Sequence, residues 1–323
     1  MARAAVIERT GGPEVIGWRD VDLPAPGPGE VRVRHTAVGL NYIDTYHRSG
    51  LYPLTLPSGL GSEAAGVVEV VGEGVALPVG ARVGTWGPAL GAYSTARNVR
   101  ADQLVRLPEA VDDETAAAVL LKGATAAFLV EDCARVQPGQ TVLVWSAAGG
   151  VGHLLVGWLH AIGATVIGVV GSAAKVEAVR AAGAAHVLRH DVEDVAARVR
   201  EITGGAGVPV VLDGVGRASW DASLKATARR GLIVSYGNAG GPVEGIGLGA
   251  LARAGSLFVT RPTLFDYAVT LADRQRLADR VFAMLASGAI RPDIGQRWPL
   301  EQAADAQRSL EAGRTRGSTV LTV

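Results

Sequence analysis

Residues 141–162, TVLVWSAAGGVGHLLVGWLHAI, place the tightest constraint on how this chain can fold. An apolar stretch ends at Trp145, and a turn of small residues follows as Ala147-Ala148-Gly149-Gly150-Val151-Gly152. Val151, Leu154, Leu155, Trp158, Leu159 and Ile162 then recur at i, i+3, i+4, i+7 spacing. That order predicts a strand, a tight turn and an amphipathic helix. The turn reads A-x-G-x-x-G. Glycine at 149 lets the backbone approach a ligand phosphate, whose charge the helix N-terminus favours, and Gly152 lets helix and strand pack closely. A glycine-rich hexamer alone is weak, but here a strand precedes it, a helix follows and a second apolar run occupies residues 165–170. Together they mark Ala148, Gly149, Gly150, Val151 and Gly152 as the cradle of a dinucleotide.

From residue 141 onward strands and helices alternate. Candidate strands are 141–145, 165–170, 208–213, 232–236 and 257–261, which predicts βαβ units on a parallel sheet with helices on both faces. The first third reads differently. Val31 and Val33 alternate with Arg32 and Arg34, residues 64–71 are Val-rich and closed by glycines, and short runs follow near 82–85, 93–98 and 103–107. Closely spaced short strands predict a compact, barrel-like β unit. An Ala-rich helical stretch over 112–130 separates the two characters, a helical pattern returns over 265–285, and a strand-like run, 318–323, ends the chain. The expected organisation is therefore α/β, with residues 1–121 as a β-rich domain, 122–264 as a doubly wound nucleotide domain, and 265–323 returning to the first. A length of 323 residues suits two such cores.

Composition removes several function classes. Lys+Arg and Asp+Glu are equal at 31 each, which leaves no general field to steer a polyanion. No apolar run reaches the roughly 18–20 residues of a membrane helix, and the N-terminal residues lack a secretory h-region, so a cytoplasmic location is expected. Cys133 is the only cysteine, and none of the six histidines pairs with another at H-x₃-H or H-E-x-x-H spacing, so no metal site is expected. Which dinucleotide binds is asked of the second strand. Its tip is Gly171-Ser172-Ala173-Ala174-Lys175, without the carboxylate that would hold an unphosphorylated ribose. Ser172 is expected to cap the next helix, with Lys175 one turn in offering a cation to a 2′-phosphate. NADPH is favoured over NADH. Hydride transfer without a Lewis acid calls for an acceptor that is already electrophilic, such as a quinone or an α,β-unsaturated carbonyl.

A family resemblance enters on particular segments. Val38-Gly39-Leu40-Asn41-Tyr42-Ile43-Asp44-Thr45-Tyr46, followed by Arg48-Ser49-Gly50-Leu51-Tyr52-Pro53, resembles the zeta-crystallin-like quinone oxidoreductases. These form a zinc-free branch of the medium-chain dehydrogenase/reductase superfamily. Leu60-Gly61-Ser62-Glu63-Ala64-Ala65-Gly66 fits as well, with Ser62 where zinc-dependent relatives carry a histidine and Val38 where they carry a cysteine. Leu121-Lys122-Gly123-Ala124-Thr125, Ser235-Tyr236-Gly237-Asn238 and Val259-Thr260-Arg261-Pro262 match in order.

The resemblance implies a GroES-like catalytic domain built from both termini, an inserted Rossmann domain, and an active site in the interdomain cleft. It implies that Asn41, Asp44, Tyr46 and Tyr52 line the nicotinamide and quinone pocket. Thr125 and the glycine turn would hold the pyrophosphate and ribose, Gly171, Ser172 and Lys175 the 2′-phosphate, and Asn238, Val259 and Arg261 the nicotinamide end. His190 stands where bacterial relatives often have a tyrosine against the 2′-phosphate, and Arg314 neighbours Gly313, which aligns with their phosphate-binding arginine. A homodimer paired through residues 256–261 is implied too. The activity expected is NADPH-dependent, metal-free reduction of quinones, by hydride or electrons from the nicotinamide. Reduction of an enal or enone is the enzymatic alternative. A non-catalytic NADPH- or RNA-binding protein is the alternative from another class, and the neutral charge and lack of Lys-rich or RGG tracts speak against RNA.

Overall fold

The computed structural model describes residues 1–323 as two compact units. The first comprises Met1–Lys122, Ala268–Phe282 and Pro292–Val323; the second comprises Gly123–Tyr267 and Ala283–Arg291.

The first unit opens with a hairpin of β1 (Ala2–Ile7) and β2 (Gly17–Val21). Then come β3 (Glu30–Leu40), α1 (Tyr42–Ser49), β4 (Ser58–Gly59), β5 (Glu63–Val71), β6 (Arg82–Trp86), β7 (Ala96–Arg100) and β8 (Leu104–Arg106). α2 (Asp113–Ala127) follows, the first segment of the first unit ending within it at Lys122, and runs into a π-helical turn, Phe128–Cys133, of the second unit.

The second unit continues with β9 (Thr141–Val144), α3 (Gly150–Ala161), β10 (Thr165–Val170), α4 (Val176–Ala181), β11 (His186–Arg189) and α5 (Val195–Ile202). After these lie β12 (Val208–Asp213), α6 (Trp220–Ala226), β13 (Thr227–Ser235), α7 (Leu248–Arg253), β14 (Phe258–Thr260) and α8 (Leu264–Tyr267). The chain closes with α9 (Leu271–Ala286), β15 (Ile294–Pro299), α10 (Ala303–Glu311) and β16 (Ser318–Thr322).

The six strands of the second unit are all parallel, in the order β11-β10-β9-β12-β13-β14. Strand order reverses between β9 and β12, and a doubly wound sheet binds ligands at the carboxyl ends of strands flanking such a reversal. Leu143, Ile167, Val169, Val211 and Ile233 are fully buried in its core. Covering both faces is why these strands read as continuous apolar runs and not as alternating ones. Each such side chain contributes about 1.5–3 kcal/mol by leaving water.

In the first unit a seven-stranded sheet runs β15-β16-β3-β5-β6-β8, with β7 also on β3, and β2-β1-β4 form a smaller sheet. β16 pairs antiparallel with the end of β3, Leu321 opposite Val38, so the C-terminal strand completes the sheet begun near the N-terminus. One core gathers Ile7, Val38, Leu40, Leu60, Tyr93, Ala303 and Leu321 from six separate stretches of chain. α1, the hairpin, β11 and α10 carry weaker sequence patterns than the Val-rich strands.

Candidate active site

In the second unit, the turn after β9 is shaped by its small residues. Ser146 sits at φ 53, the amide of Gly149 donates to Ser146 O at 2.9 Å, and that of His153 donates to Gly149 O at 2.8 Å. Gly149 is the N-cap of α3 in extended backbone, with no side chain to close the first-turn amides. Gly152 is pressed onto the strand end: a Cβ there would lie 2.8 Å from Ser146 C and 2.9 Å from Ala147 Cα. The result is a helix N-terminus with uncapped amides brought close to β9, a donor set suited to a pyrophosphate.

The other candidate positions follow the carboxyl ends of neighbouring strands. Beyond β10, Gly171 is exposed, and a Cβ on it would lie 3.0 Å from His190 Nε2. β11 delivers that imidazole because it pairs in register with β10, Val170 opposite Arg189. The His190 ring also lies 6.2 Å from that of Trp145. Ser172 does not form the expected side-chain cap. A single 3₁₀ turn, Ala173–Lys175, precedes α4, and Ser172 makes no cap bond, because the backbone turn itself closes through Lys175 N–H to Ser172 O at 3.2 Å. Burial holds the Lys175 ammonium below the usual lysine range.

After β13, Tyr236 and Asn238 share a loop with Gly237, and the amide of Asn238, oriented to satisfy its neighbours, accepts from Arg261 at 3.2 Å. Val259 on β14 pairs with Ile233. Thr125 is the single part-exposed residue in the otherwise buried stretch 116–130 of α2 and its π turn. Thus Ala148 to Gly152, Gly171, Ser172, Lys175, His190, Asn238, Val259 and Arg261 all belong to one rim of one sheet. Arg314 is exposed and belongs to the first unit. A nicotinamide dinucleotide fits this rim: uncapped helix amides, clearance at two glycines, and a cation with a free hydroxyl at the β10 tip.

The first unit holds a second polar constellation at the start of α1. Asn41 is its N-cap, and the Asp44 carboxylate reaches back to accept from the Asn41 backbone N–H at 2.9 Å, one half of a capping box. Asp44 also accepts from Ser62 Oγ (2.8 Å) and from Tyr93 Oη (3.0 Å), and Gln307 Nε2 donates to Tyr93 Oη at 3.4 Å. Burial pushes the Asp44 carboxyl up to about 6 against these donors and the nearby charge of Lys122. With no exposed surface, Asp44 does not line a ligand pocket as the resemblance implied; it braces the α1 N-terminus from below. Three donors already surround its oxygens.

Tyr46 and Tyr52 are brought together, ring centroids 5.2 Å apart, with Tyr42 5.8 Å from Tyr46 and His47 5.9 Å from Tyr52. The helix puts Tyr42 and Tyr46 on one face at i, i+4 spacing, and the Tyr52 amide donates to Tyr46 O at 3.1 Å to fold the following loop back. Asn41 donates through Nδ2 to Glu63 Oε2 at 2.9 Å, and Lys122 Nζ reaches the same oxygen at 2.9 Å. Ser62, Glu63, Tyr93, Lys122 and Gln307 were not among the expected site residues. Ser62, Glu63 and Lys122 lie in segments that carry the resemblance, and Lys122 is one of only three lysines in the chain, whereas nothing in the sequence singles out Tyr93 or Gln307.

No group of three or more His, Cys, Asp or Glu side chains is gathered closely enough to hold a metal ion. Ser62, at the position where zinc-dependent enzymes carry a histidine, spends its hydroxyl on Asp44.

Comparison with known proteins agrees with this arrangement. Residues 27–109 match the alcohol dehydrogenase GroES-like domain and residues 150–285 the zinc-binding dehydrogenase family. A quinone oxidoreductase of Pseudomonas aeruginosa is 49% identical over 323 residues, covering 99% of each chain. The chain belongs to the quinone oxidoreductase family. The solved structure of Escherichia coli quinone oxidoreductase complexed with NADPH superposes with a TM-score of 0.97 at 43% identity, covering 99% of this chain and 100% of that one. A 2-haloacrylate reductase of a Burkholderia species is 41% identical with 99% of each chain covered, so the quinone oxidoreductase family borders enzymes that act on other electrophiles.

Proposed function

We infer that the protein is an NADPH:quinone oxidoreductase, the second unit binding NADPH and the first serving as its catalytic, GroES-like domain. The observation that carries this reading is the uncapped, glycine-lined N-terminus of α3 beside the cation-bearing tip of β10, in a chain 44–49% identical end to end to three bacterial quinone oxidoreductases. Bound NADPH supplies the reducing equivalents. The α3 amides and Thr125 orient the pyrophosphate and ribose. Ser172, Lys175 and His190 hold the 2′-phosphate, and Asn238, Val259 and Arg261 serve the nicotinamide. Asn41, Tyr46 and Tyr52 form the wall for nicotinamide and quinone, and Asp44 positions Asn41.

The reduction is assigned as metal-free, because Val38 and Ser62 replace the thiolate and imidazole that a zinc ion would need. A quinone suits such a wall: its carbonyls are already activated, and its product takes protons from water. Enal or enone reduction ranks below it, since three relatives at 44–49% identity carry the quinone name and the 2-haloacrylate reductase stands at 41%.

We further propose a cytoplasmic homodimer. Support for the dimer is that β14 is an edge strand carrying Phe258 at 61% exposure. No helix is long and apolar enough to cross a membrane. The deciding experiment follows NADPH oxidation by the purified protein with a benzoquinone, a naphthoquinone, an enal and a simple ketone. Quinone turnover that resists chelators is expected; ketone reduction abolished by chelation would refute the reading.

A further inference from the structure

We propose that Glu63 and Lys122 are a buried positioning pair that locks the side-chain amide of Asn41, and through it the rate of quinone reduction. The rate clause rests on the role given to Asn41 above. Glu63, first residue of β5, is completely buried and Lys122 nearly so. The Glu63 carboxylate collects three donors: Leu121 N–H at 2.7 Å on one oxygen, and Lys122 Nζ and Asn41 Nδ2, both at 2.9 Å, on the other. Space for it is cleared by Gly39 at the end of β3, where a Cβ would lie 2.8 Å from Glu63 Cδ. Thus β3, β5, α1 and α2 all converge on one carboxylate.

Ionised, a carboxylate only accepts, so the amide of Asn41 can face it in one sense alone, with nitrogen inward. Its nitrogen also meets Gly39 O at 3.4 Å, so Oδ1, which faces the Asp44 backbone N–H in the capping box, is the atom with a lone pair left to offer a ligand N–H or O–H. Lys122 supplies the counter-charge. A buried ion pair of this kind is a poor source of stability, since desolvation offsets most of the attraction, and an apolar replacement of both partners is often neutral or better. Its retention in the interior, beside the N-cap of the helix carrying Tyr46, is what orientation of Asn41 explains.

The chain contains three asparagines, Asn41, Asn98 and Asn238, so selective ¹⁵N-asparagine labelling of the full-length protein yields three side-chain amide pairs. The Asn41 pair is assigned by its disappearance in Asn41→Ala. In the native protein this pair should exchange slowly with solvent. In Glu63→Gln, whose own NH₂ must displace one of the three donors, it should shift and exchange at least about tenfold faster, and kcat for quinone should fall by about tenfold or more. Because Glu63→Gln or Lys122→Met alone can unfold the protein, the charge-free Glu63→Gln/Lys122→Met variant is measured too. It should fold with native-like thermal stability yet show the same released amide and the same loss of kcat. Adding Glu63→Gln to Asn41→Ala should cost nothing more. A charge-free variant with native Asn41 signals would overturn the positioning role, as would additive losses in the double variant. Full turnover by Asn41→Ala would instead remove Asn41 from the reaction, with the amide signals still deciding whether the pair orients it.

Discussion

The two glycines of the α3 turn are expected to fail differently when replaced by alanine. At Gly152 the added Cβ would meet backbone: Ser146 O, Ser146 C at 2.8 Å and Ala147 Cα at 2.9 Å. Ordinary carbon contacts are about 3.5–4 Å, so strand end and helix must separate by more than half an ångström, and no side chain can rotate away to help. Overpacking of this kind costs about 3 kcal/mol, the upper end of its usual range. Helix propensity acts the other way, favouring alanine over glycine inside α3 by about 1 kcal/mol. The net loss is about 2 kcal/mol, which for a unit of this size lowers Tm by about 4–8 °C.

At Gly149 the nearest atoms to an added Cβ are Ser146 Oγ at 3.1 Å and Ser146 O at 3.2 Å, and φ is −80°, a conformation alanine adopts freely. Gly149→Ala should therefore cost less than about 1 kcal/mol of stability, while its methyl group stands where the pyrophosphate approaches. Affinity for NADPH should fall at least about tenfold, a loss of about 1.4 kcal/mol. Differential scanning calorimetry and NADPH titration by fluorescence, run on both variants, separate the two effects. The reasoning fails if Gly152→Ala melts within about 1 °C of the native protein, or if Gly149→Ala binds NADPH with native affinity.

Four further outcomes are expected. Asp44 is held protonated to higher pH in the fold than in the unfolded chain, so its contribution is greatest below about pH 3.8 and is lost as pH rises through about 6. In urea titrations the stability of the native protein relative to Asp44→Asn should thus decline by up to about 3 kcal/mol from pH 4 to 7; a flat difference would refute the burial argument. His35 has the opposite sign: desolvation and the charge of Arg97 hold it down at about 3, so stability is lost as pH falls below 6.5. His35→Asn, which can keep the donor to Ser94 O now met by Nδ1 at 2.7 Å, should flatten that slope by about 2 kcal/mol between pH 6.5 and 5. Lys175→Ala should raise KM for NADPH at least about tenfold more than KM for NADH. Phe258→Glu should shift the protein from dimer to monomer in sedimentation velocity, and an unchanged dimer would move the interface away from β14.

Period and punctuation decided what could be read directly from the chain. A parallel strand covered on both faces is apolar through its middle, so residues 165–170 and 208–213 declare themselves, and their observed limits coincide with the expected ones. The A-x-G-x-x-G turn is equally local, because clearance and helix polarity are properties of a few consecutive residues. The expectation at Ser172 failed for the same local reason: capping was inferred from residue type, whereas the backbone closed its own 3₁₀ turn.

The polar constellation of the first unit was beyond any local reading. Asp44 meets Ser62, Tyr93 and, through the latter, Gln307, while Glu63 meets Asn41, Leu121 and Lys122, pairings that span up to 214 positions of chain. Hydrogen bonds carry no periodicity, so the resemblance that placed Asp44 at the pocket could not show that its oxygens are claimed from three sides. Sequence by itself determined the doubly wound sheet, the dinucleotide turn and the family. Tertiary structure alone decided which polar side chains remain available to a ligand and which are spent on one another, because that depends on what long-range packing brings within 3 Å.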